Sequence, residues 1–375
     1  MNDIHIKKRI LLCVTGMSPQ VMTETLYALA VNPEAGQGAW IPNEVHIITT
    51  ASGADQARLN LLSQDTGWFK KLCDDYSLPP IAFGSSHIHC ITDEAGQVLD
   101  DIRTPADNEA AANSIAELVR DLTHDPNSAL HVSLAGGRKT MGYYTGYALS
   151  LYGRPQDQLS HILVSAPYES HPEFYYPTPY PRIIQSREPK PRAFNCADAT
   201  IQLAHIPFVR LREGMPHRLL DGKANFTETV KLANLAHEPA TLRINQSREA
   251  RGIRVNGIPV PLTDTPFALL YWLARRANSE NPEVDWIEHA EFLEHVTKLY
   301  GKDSHIYEEV ERALRSCRGD EEQIKKYFQP IKSRMNTILK EELGATLAAR
   351  CQSPKSSRGG GNRLPEDLTI IFDNN

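Results

Sequence analysis

The chain has 375 residues, 41% hydrophobic and 23% charged, the profile of an ordinary soluble globular protein with room for about two or three domains. No run approaches the roughly 20 apolar residues of a membrane span, and the opening MNDIHIKKRILLCV lacks a signal peptide's apolar core and cleavage site, so a cytoplasmic protein with no membrane partner is expected. A formal net charge of −6 argues against nonspecific coating of nucleic acid but permits a local basic pocket for a small anion.

Strand signals at 9–14 (RILLCV), 44–49 (EVHIIT), 87–91 (HIHCI), 129–134 (ALHVSL) and 161–165 (HILVS) alternate with helical stretches at 19–30, 53–76, 106–122 and 138–152. Met22, Leu26 and Leu29 form one apolar stripe in the first helix, and Met141, Tyr144, Ala148 and Leu151 form another in the last. Alternation of this kind predicts a Rossmann-like α/β domain over residues 1–166, with a mostly parallel sheet covered on both faces. Residues 167–222 are rich in proline and aromatics, which excludes a long helix or a central strand. They are expected to form a packed connector, because free linkers are poor in aromatics. Within it, ATIQLAHIPFVRLR (199–212) reads as one or two added strands.

Residues 223–375 are expected to form a third segment. Short strands over 240–263 turn at Asn256-Gly257, and Thr263 or Asp264 can cap a helix at 265–277 with Phe267, Leu270 and Ala274 along one side. Helices at 286–300, 304–316 and 330–343 follow, and the chain closes on the strand LTIIF. Strands, helices and a terminal hairpin are the order of a winged helix, an α+β domain.

Two strand-to-helix turns in the first domain can carry chemistry. In Thr15-Gly16-Met17-Ser18-Pro19-Gln20, Ser18 suits an N-cap and Pro19 the first helical position. A helix start offers unpaired N–H groups and the positive dipole end, both favourable to phosphate. Taken alone, the turn reads as readily as a plain capped corner. The second, SLAGGRKTMG (133–142), sets Gly136-Gly137 before Arg138 and Lys139, two cations at a helix start where they oppose the dipole unless an anion offsets them. In a doubly wound sheet both turns can share one carboxyl edge with ITTASG (48–53), whose Thr50 and Ser52 add hydroxyls. Hydroxyls, glycine backbone and two cations together suit a phosphodiester. Neither GxGxxG after the first strand nor GxxxxGK[ST] occurs.

Other chemistries find little support. The six cysteines are scattered without a CxxC pair, so neither a zinc knuckle nor a disulfide framework is expected. His87, His89, His131, His161 and His171 show no metal-ligand spacing such as HExxH, and no metal or cofactor is expected. Tyr168 and His171 could reach over a bound ligand.

The pair TGMSPQVMTETLYAL and SLAGGRKTMG, with YYPTP and HIPFVRLR, resembles the CARF family with a C-terminal winged helix, CRISPR-associated Rossmann folds that sense cyclic oligoadenylate. The resemblance implies a homodimer with cyclic tetra-adenylate across its two-fold axis. It implies ligand contacts from Thr15, Gly16, Met17, Ser18, Pro19, Gln20, Thr50, Ser52, Gly136, Gly137, Arg138 and Lys139. The serine and lysine of the family's ring nucleases fall on Ser18 and Lys139; Met17 stands where relatives vary. A ribose 2′-hydroxyl would attack the adjacent phosphate without a metal, with Lys139 and Arg138 on the phosphate and Ser18 orienting the reactants. The alternative is a cyclic-oligoadenylate-responsive transcription regulator that binds DNA. Its contacts would be Lys332, Asn336 and Lys340 on PIKSRMNTILKEELG and Lys355, Arg358 and Arg363 in the wing. Residues 278–322 carry thirteen Asp/Glu against five Lys/Arg, so much of that module would repel DNA.

Overall fold

Buried apolar runs build the first sheet. In the computed structural model, which describes all residues except 1–5, 35, 37, 65–66, 187–190, 221, 223–224, 236–237, 354–361 and 374–375 and the side chains of 214, 217 and 218, β1 (Lys8–Val14) is buried over its last five positions. The chain continues through α1 (Gln20–Ala30), β2 (Glu44–Thr49), α2 (Ala51–Ala57), α3 (Trp68–Asp75), β3 (Ile88–Cys90), α4 (Pro105–Leu122), β4 (Ser128–Ser133), α5 (Lys139–Tyr152) and β5 (Gln158–Val164). A short hairpin of β6 (Ile183–Gln185) and β7 (Ala193–Asn195) follows, then β8 (Ile201–His205). The six-stranded sheet has the order β3-β2-β1-β4-β5-β8, parallel throughout except for β8, which runs antiparallel to β5. Leu11, Cys13, Val45 and Ile47 pack against Met22 and Leu26 of α1 and Leu72 of α3. The alternate residues Ile10, Leu12 and Ile48 are buried too, so both sheet faces are covered, as a parallel sheet requires.

The fold is Rossmann-like, and its strand order reverses between β1 and β4. Successive strands run from β1 to β2 and β3 on one side and from β4 to β5 on the other. Crevices at such a reversal, outside the carboxyl ends of the strands, are where open α/β sheets bind ligands. The turns TGMSPQ and SLAGGRK leave β1 and β4 at this point.

One local reading differs from the structure, and two others take definite form in it. The helix expected over 53–76 is broken: α2 passes into one π turn (Arg58–Leu62), and α3 restarts after Gly67, where a Cβ would stand 2.4 Å from Ser63 O. The stretch 199–212 contributes β8 alone. Residues 167–185 pack tightly: Tyr175 stacks on Trp68 at 4.6 Å, and the Tyr176 hydroxyl donates to Asp75 Oδ2 at 2.8 Å.

The chain divides into two compact units, one ending at Glu213 with Asn225–Thr227 added, the other beginning at Gly214. Past the short α6 (His217–Leu220) and α7 (Phe226–Leu235), β9 (Thr241–Asn245), β10 (Gly252–Val255) and β11 (Ile258–Val260) lead to α8 (Asp264–Ala277), α9 (His289–Tyr300), α10 (His305–Ser316), α11 (Glu321–Ala349) and β12 (Thr369–Asp373). The second unit's core centres on Trp272, Trp286, Phe292 and Phe328, with Trp286 stacked on Phe328 at 4.8 Å. Its sheet order is β11-β10-β9-β12, and β12 lies parallel to β9. Among the described residues the chain therefore closes on one strand and not the expected hairpin. The helix expected at 330–343 is the middle of α11, which starts on the Asp320 cap, carries Pro330 inside it, and is interrupted at Gly344 (φ 76°). No helix among the described residues is long and apolar enough to cross a membrane.

Candidate functional site

Glycines let three loops meet at the switch point. A Cβ on Gly16 would stand 3.3 Å from Gly137 Cα, and one on Gly136 would stand 2.7 Å from Val14 O. A Cβ on Gly53 would fall 2.9 Å from Gly16 O and into Thr49 Oγ1. Gly137 adopts φ +81°, a conformation that favours glycine. Larger residues at these positions would separate the turns, so the glycines hold them together.

The loops border a cleft of about 690 Å³, within the usual range of small-molecule sites. Gly16, Met17, Ser18, Gln20, Thr50, Ser52, Gly136, Gly137 and Arg138 line it. Thr15 and Pro19 are buried and do not line it, and Lys139 is exposed and also outside the lining. Lys139 makes no ion pair with a described residue.

Neither flanking helix is capped by a side chain. Pro19 is the N-cap of α1 (φ −73°, ψ −7°), which corrects the expectation that Ser18 would cap it. Pro19 has helical dihedrals, yet the backbone N–H groups that follow receive no side-chain cap from Ser18 or any other residue. The Ser18 hydroxyl is thus not spent on the helix. Arg138 is the N-cap of α5, again without a side-chain bond. Both helix starts keep orphan N–H groups and positive dipole ends. Thr15 Oγ1, Gln20 Oε1 and Thr49 Oγ1 are buried without a hydrogen-bond partner among the described residues. Buried polar atoms are seldom left so; of these three residues, Gln20 lines the cleft.

The cleft also contains acids that the sequence motifs did not indicate. Arg138 donates through Nε to Asp101 Oδ1 at 3.0 Å and through Nη2 to Oδ2. That guanidinium, with the Ile102 N–H, holds the Asp101 carboxyl down at about 2. Arg138, a cation misplaced against a helix dipole, is therefore offset within the chain. Asp100, Arg103, Glu24 and Glu169 line the same cleft. Burial, reinforced by the charge of Glu169, raises the Glu24 carboxyl to about 8. Nothing in QVLDDIRTP marks Asp101; only its pairing across the fold does.

The histidines separate by environment. His161 and His171 line the cleft, and His171 Nε2 donates to Gln185 O at 2.8 Å. Tyr168 does not reach over the cleft as expected: it is buried beside Phe174 and donates to Asn195 O at 2.8 Å. His131 is a core residue between Ser160 Oγ (2.7 Å) and Gln158 Oε1 (3.2 Å), and burial lowers it to about 4. Glu44, His46 and His87 bring ligand atoms within 4.8 Å of one another. Glu44 and His46 stand i, i+2 on β2 and His87 ends the turn before β3, so no linear motif joins them. Lys8 Nζ lies 2.7 Å from Glu44 and His89 Nε2 lies 2.8 Å from His46 Nδ1, so these atoms already have partners. All six cysteines are free.

On α11 the positions expected to face DNA diverge. Lys332 Nζ donates to Asn362 Oδ1 at 2.8 Å, and Asn336 faces Ser353 O at 3.5 Å, both partly buried. Lys340 is exposed, Arg363 pairs with Glu366, and Lys355 and Arg358 lie outside the described residues.

A sequence model of the family described as CRISPR-associated protein NE0113 matches residues 18–239, from Ser18 near the end of the first turn through the second turn and the aromatic segment. No curated protein matches the chain. Among solved structures, Csm6 of Enterococcus italicus bound to cyclic hexa-2′-fluoro-hexa-dAMP is similar at 12% identity, with a TM-score of 0.27, over 88% of this chain and 60% of that one. That likeness is too loose to bear on the site, and the chain spans less than two thirds of that structure's length.

Proposed function

This chain belongs to the CRISPR-associated protein NE0113 family, and from that premise we propose that it is a homodimeric ring nuclease that binds cyclic tetra-adenylate at a CARF-type cleft and opens it. The observation that carries this reading is the meeting of two uncapped helix starts at the β1/β4 switch point, beside the unpartnered Gln20 Oε1. Such a site supplies N–H donors, hydroxyls and cations to a phosphodiester without requiring a particular base at that point.

In the proposed step a ribose 2′-oxygen bonds to the phosphorus of its own 3′-phosphate while the P–O5′ bond breaks. The 2′-proton leaves and the departing 5′-oxygen takes one up, giving a 2′,3′-cyclic phosphate and a 5′-hydroxyl. Ser18, whose hydroxyl the helix does not use, orients the 2′-hydroxyl or the scissile phosphate. Arg138 and Lys139 hold the phosphate and the charge that develops on it. Holding nucleophile and phosphorus in line supplies several kcal/mol of the rate enhancement.

A fourfold ring can meet the same residues twice in a C2 dimer. Met17 and Tyr143, 61% and 65% exposed beside the two turns, offer apolar surface for a second copy. The test is incubation of the full chain with labelled cyclic tetra-adenylate in EDTA. Linear product ending in a 2′,3′-cyclic phosphate is expected. Ser18→Ala or Lys139→Ala should slow its formation roughly 10²–10³-fold, the usual effect of losing a group aimed at developing charge. An intact ring after hours, or variants as fast as the parent, would remove the catalytic assignment.

A further inference from the structure

The first helix places an acid in the cleft that the phosphodiester chemistry does not use. Glu24 is 6% exposed yet lines the cleft. It takes no hydrogen bond and forms no ion pair with a described residue. One helical turn earlier on the same face, Gln20 also lines the cleft. Its Nε2 donates to Pro172 O at 3.0 Å, which fixes the amide and leaves Oε1 as a buried acceptor without a partner.

The other charged or titratable groups around the cleft do not satisfy Glu24. The loop after β3 provides Asp100, Asp101 and Arg103, the start of α5 provides Arg138, β5 provides His161, and the segment beyond it provides Glu169 and His171. Both arginines are engaged by Asp101. Glu169 adds a like charge. A buried carboxyl with no cation and a like-charged neighbour is neutral near pH 7.

A neutral carboxyl presents one O–H donor beside one acceptor oxygen. Adenine presents the complementary pair, an exocyclic amino donor next to a ring-nitrogen acceptor. An ionised carboxylate has two acceptors and no donor, so it meets the ring nitrogen with repulsion.

We propose that Glu24 is a base-reading residue: its protonated carboxyl donates to a ring nitrogen of an adenine and accepts from the amino group, with Gln20 Oε1 as a second acceptor beside it. This rests on the reading of the cleft as a cyclic-oligoadenylate site. It divides recognition between the turns, which take the phosphodiester, and the next turn of α1, which takes the base.

The test is calorimetric titration of the full chain with cyclic tetra-2′-deoxyadenylate, which lacks the attacking hydroxyl, at pH 6.5 and 9.5. Wild-type affinity is expected to fall by up to about 30-fold over that interval, as a proton is lost from a group titrating near 8. Glu24→Gln keeps a donor beside an acceptor but cannot ionise, so it should bind at both pH values and lose most of that dependence. Glu24→Ala should bind at least tenfold more weakly at pH 6.5. At pH 8.5, titration in two buffers of different ionisation enthalpy should show proton uptake on binding by the wild type and none by Glu24→Gln, a readout that does not depend on comparing affinities. Parallel wild-type and Glu24→Gln profiles, or wild-type affinity in Glu24→Ala, would overturn the role of Glu24 while leaving the cleft as a ring site. If the wild type binds no ring at either pH, the reading of the cleft fails and the role of Glu24 fails with it.

Discussion

Arg138 has two claims on its guanidinium: the Asp101 carboxylate that holds it now and the phosphate it would meet on binding. If the two compete, Asp101→Asn removes a negative charge from an anion site and frees the cation. Affinity for cyclic tetra-adenylate at low salt is then expected to rise roughly two- to fivefold, the scale of one exposed ion pair, and the gain should shrink as salt is added. Weaker binding by Asp101→Asn in a titration would mean that the carboxylate aims Arg138 and does not compete for it. At this scale the sequence was informative where a residue type is unusual in its place. Gly136-Gly137 before two cations at a helix start called for an explanation, and the fold places that turn against the first one. Asp101 and Glu24 carried no such signal, because a carboxyl in a loop or on a helix acquires meaning only from what it faces. Ser18 was legible as a polar turn residue, but the cap expected of it is not formed, since Pro19 takes that position.

The element scale depends on β1 and β4 staying in register beneath the two turns. β4 is tied to the turn before β5 by a buried network: Asp157 Oδ1 accepts from the Leu130 N–H at 2.8 Å and from Arg154 Nη2 at 2.9 Å, while Arg154 Nη1 donates to Ser128 Oγ at 3.1 Å. Asp157 is fully buried and Arg154 nearly so. Asp157→Ala leaves a buried guanidinium unpaired and an N–H orphaned, and is expected to cost about 3–5 kcal/mol in denaturant unfolding. Adding Arg154→Met should recover part of the loss, because the uncompensated charge goes with it; a single variant of unchanged stability would contradict the role given to the network. The strand at 9–14 was legible because a continuous apolar run of that length suits a strand buried on both faces, and the one at 44–49 because its β-branched residues do. The break in 53–76 was not, because it falls at a close backbone approach of Gly67 to Ser63 that leaves the periodicity intact. The stretch 330–343 is only the middle of α11, which starts at Glu321 on the Asp320 cap and carries acidic residues in its first turn.

For the whole molecule, alternation of strand and helix gave the parallel sheet and its switch point, since β-α-β connectivity leaves few other arrangements. The second unit was harder to read. Its element order suggested a winged helix, but strand pairing is a long-range choice, and β12 joins β9 in parallel where a hairpin was expected. Lys332 and Asn336, spaced as on a recognition helix, turn toward Asn362 and Ser353. The proposed chemistry resides at the switch-point cleft of the first unit. Its central requirement is one ring shared by two copies. Native mass spectrometry of the full chain with cyclic tetra-2′-deoxyadenylate tests this most directly. The expected species is a dimer carrying a single ring; a monomer carrying its own ring, or no ring on either form at saturating ligand, would contradict the account.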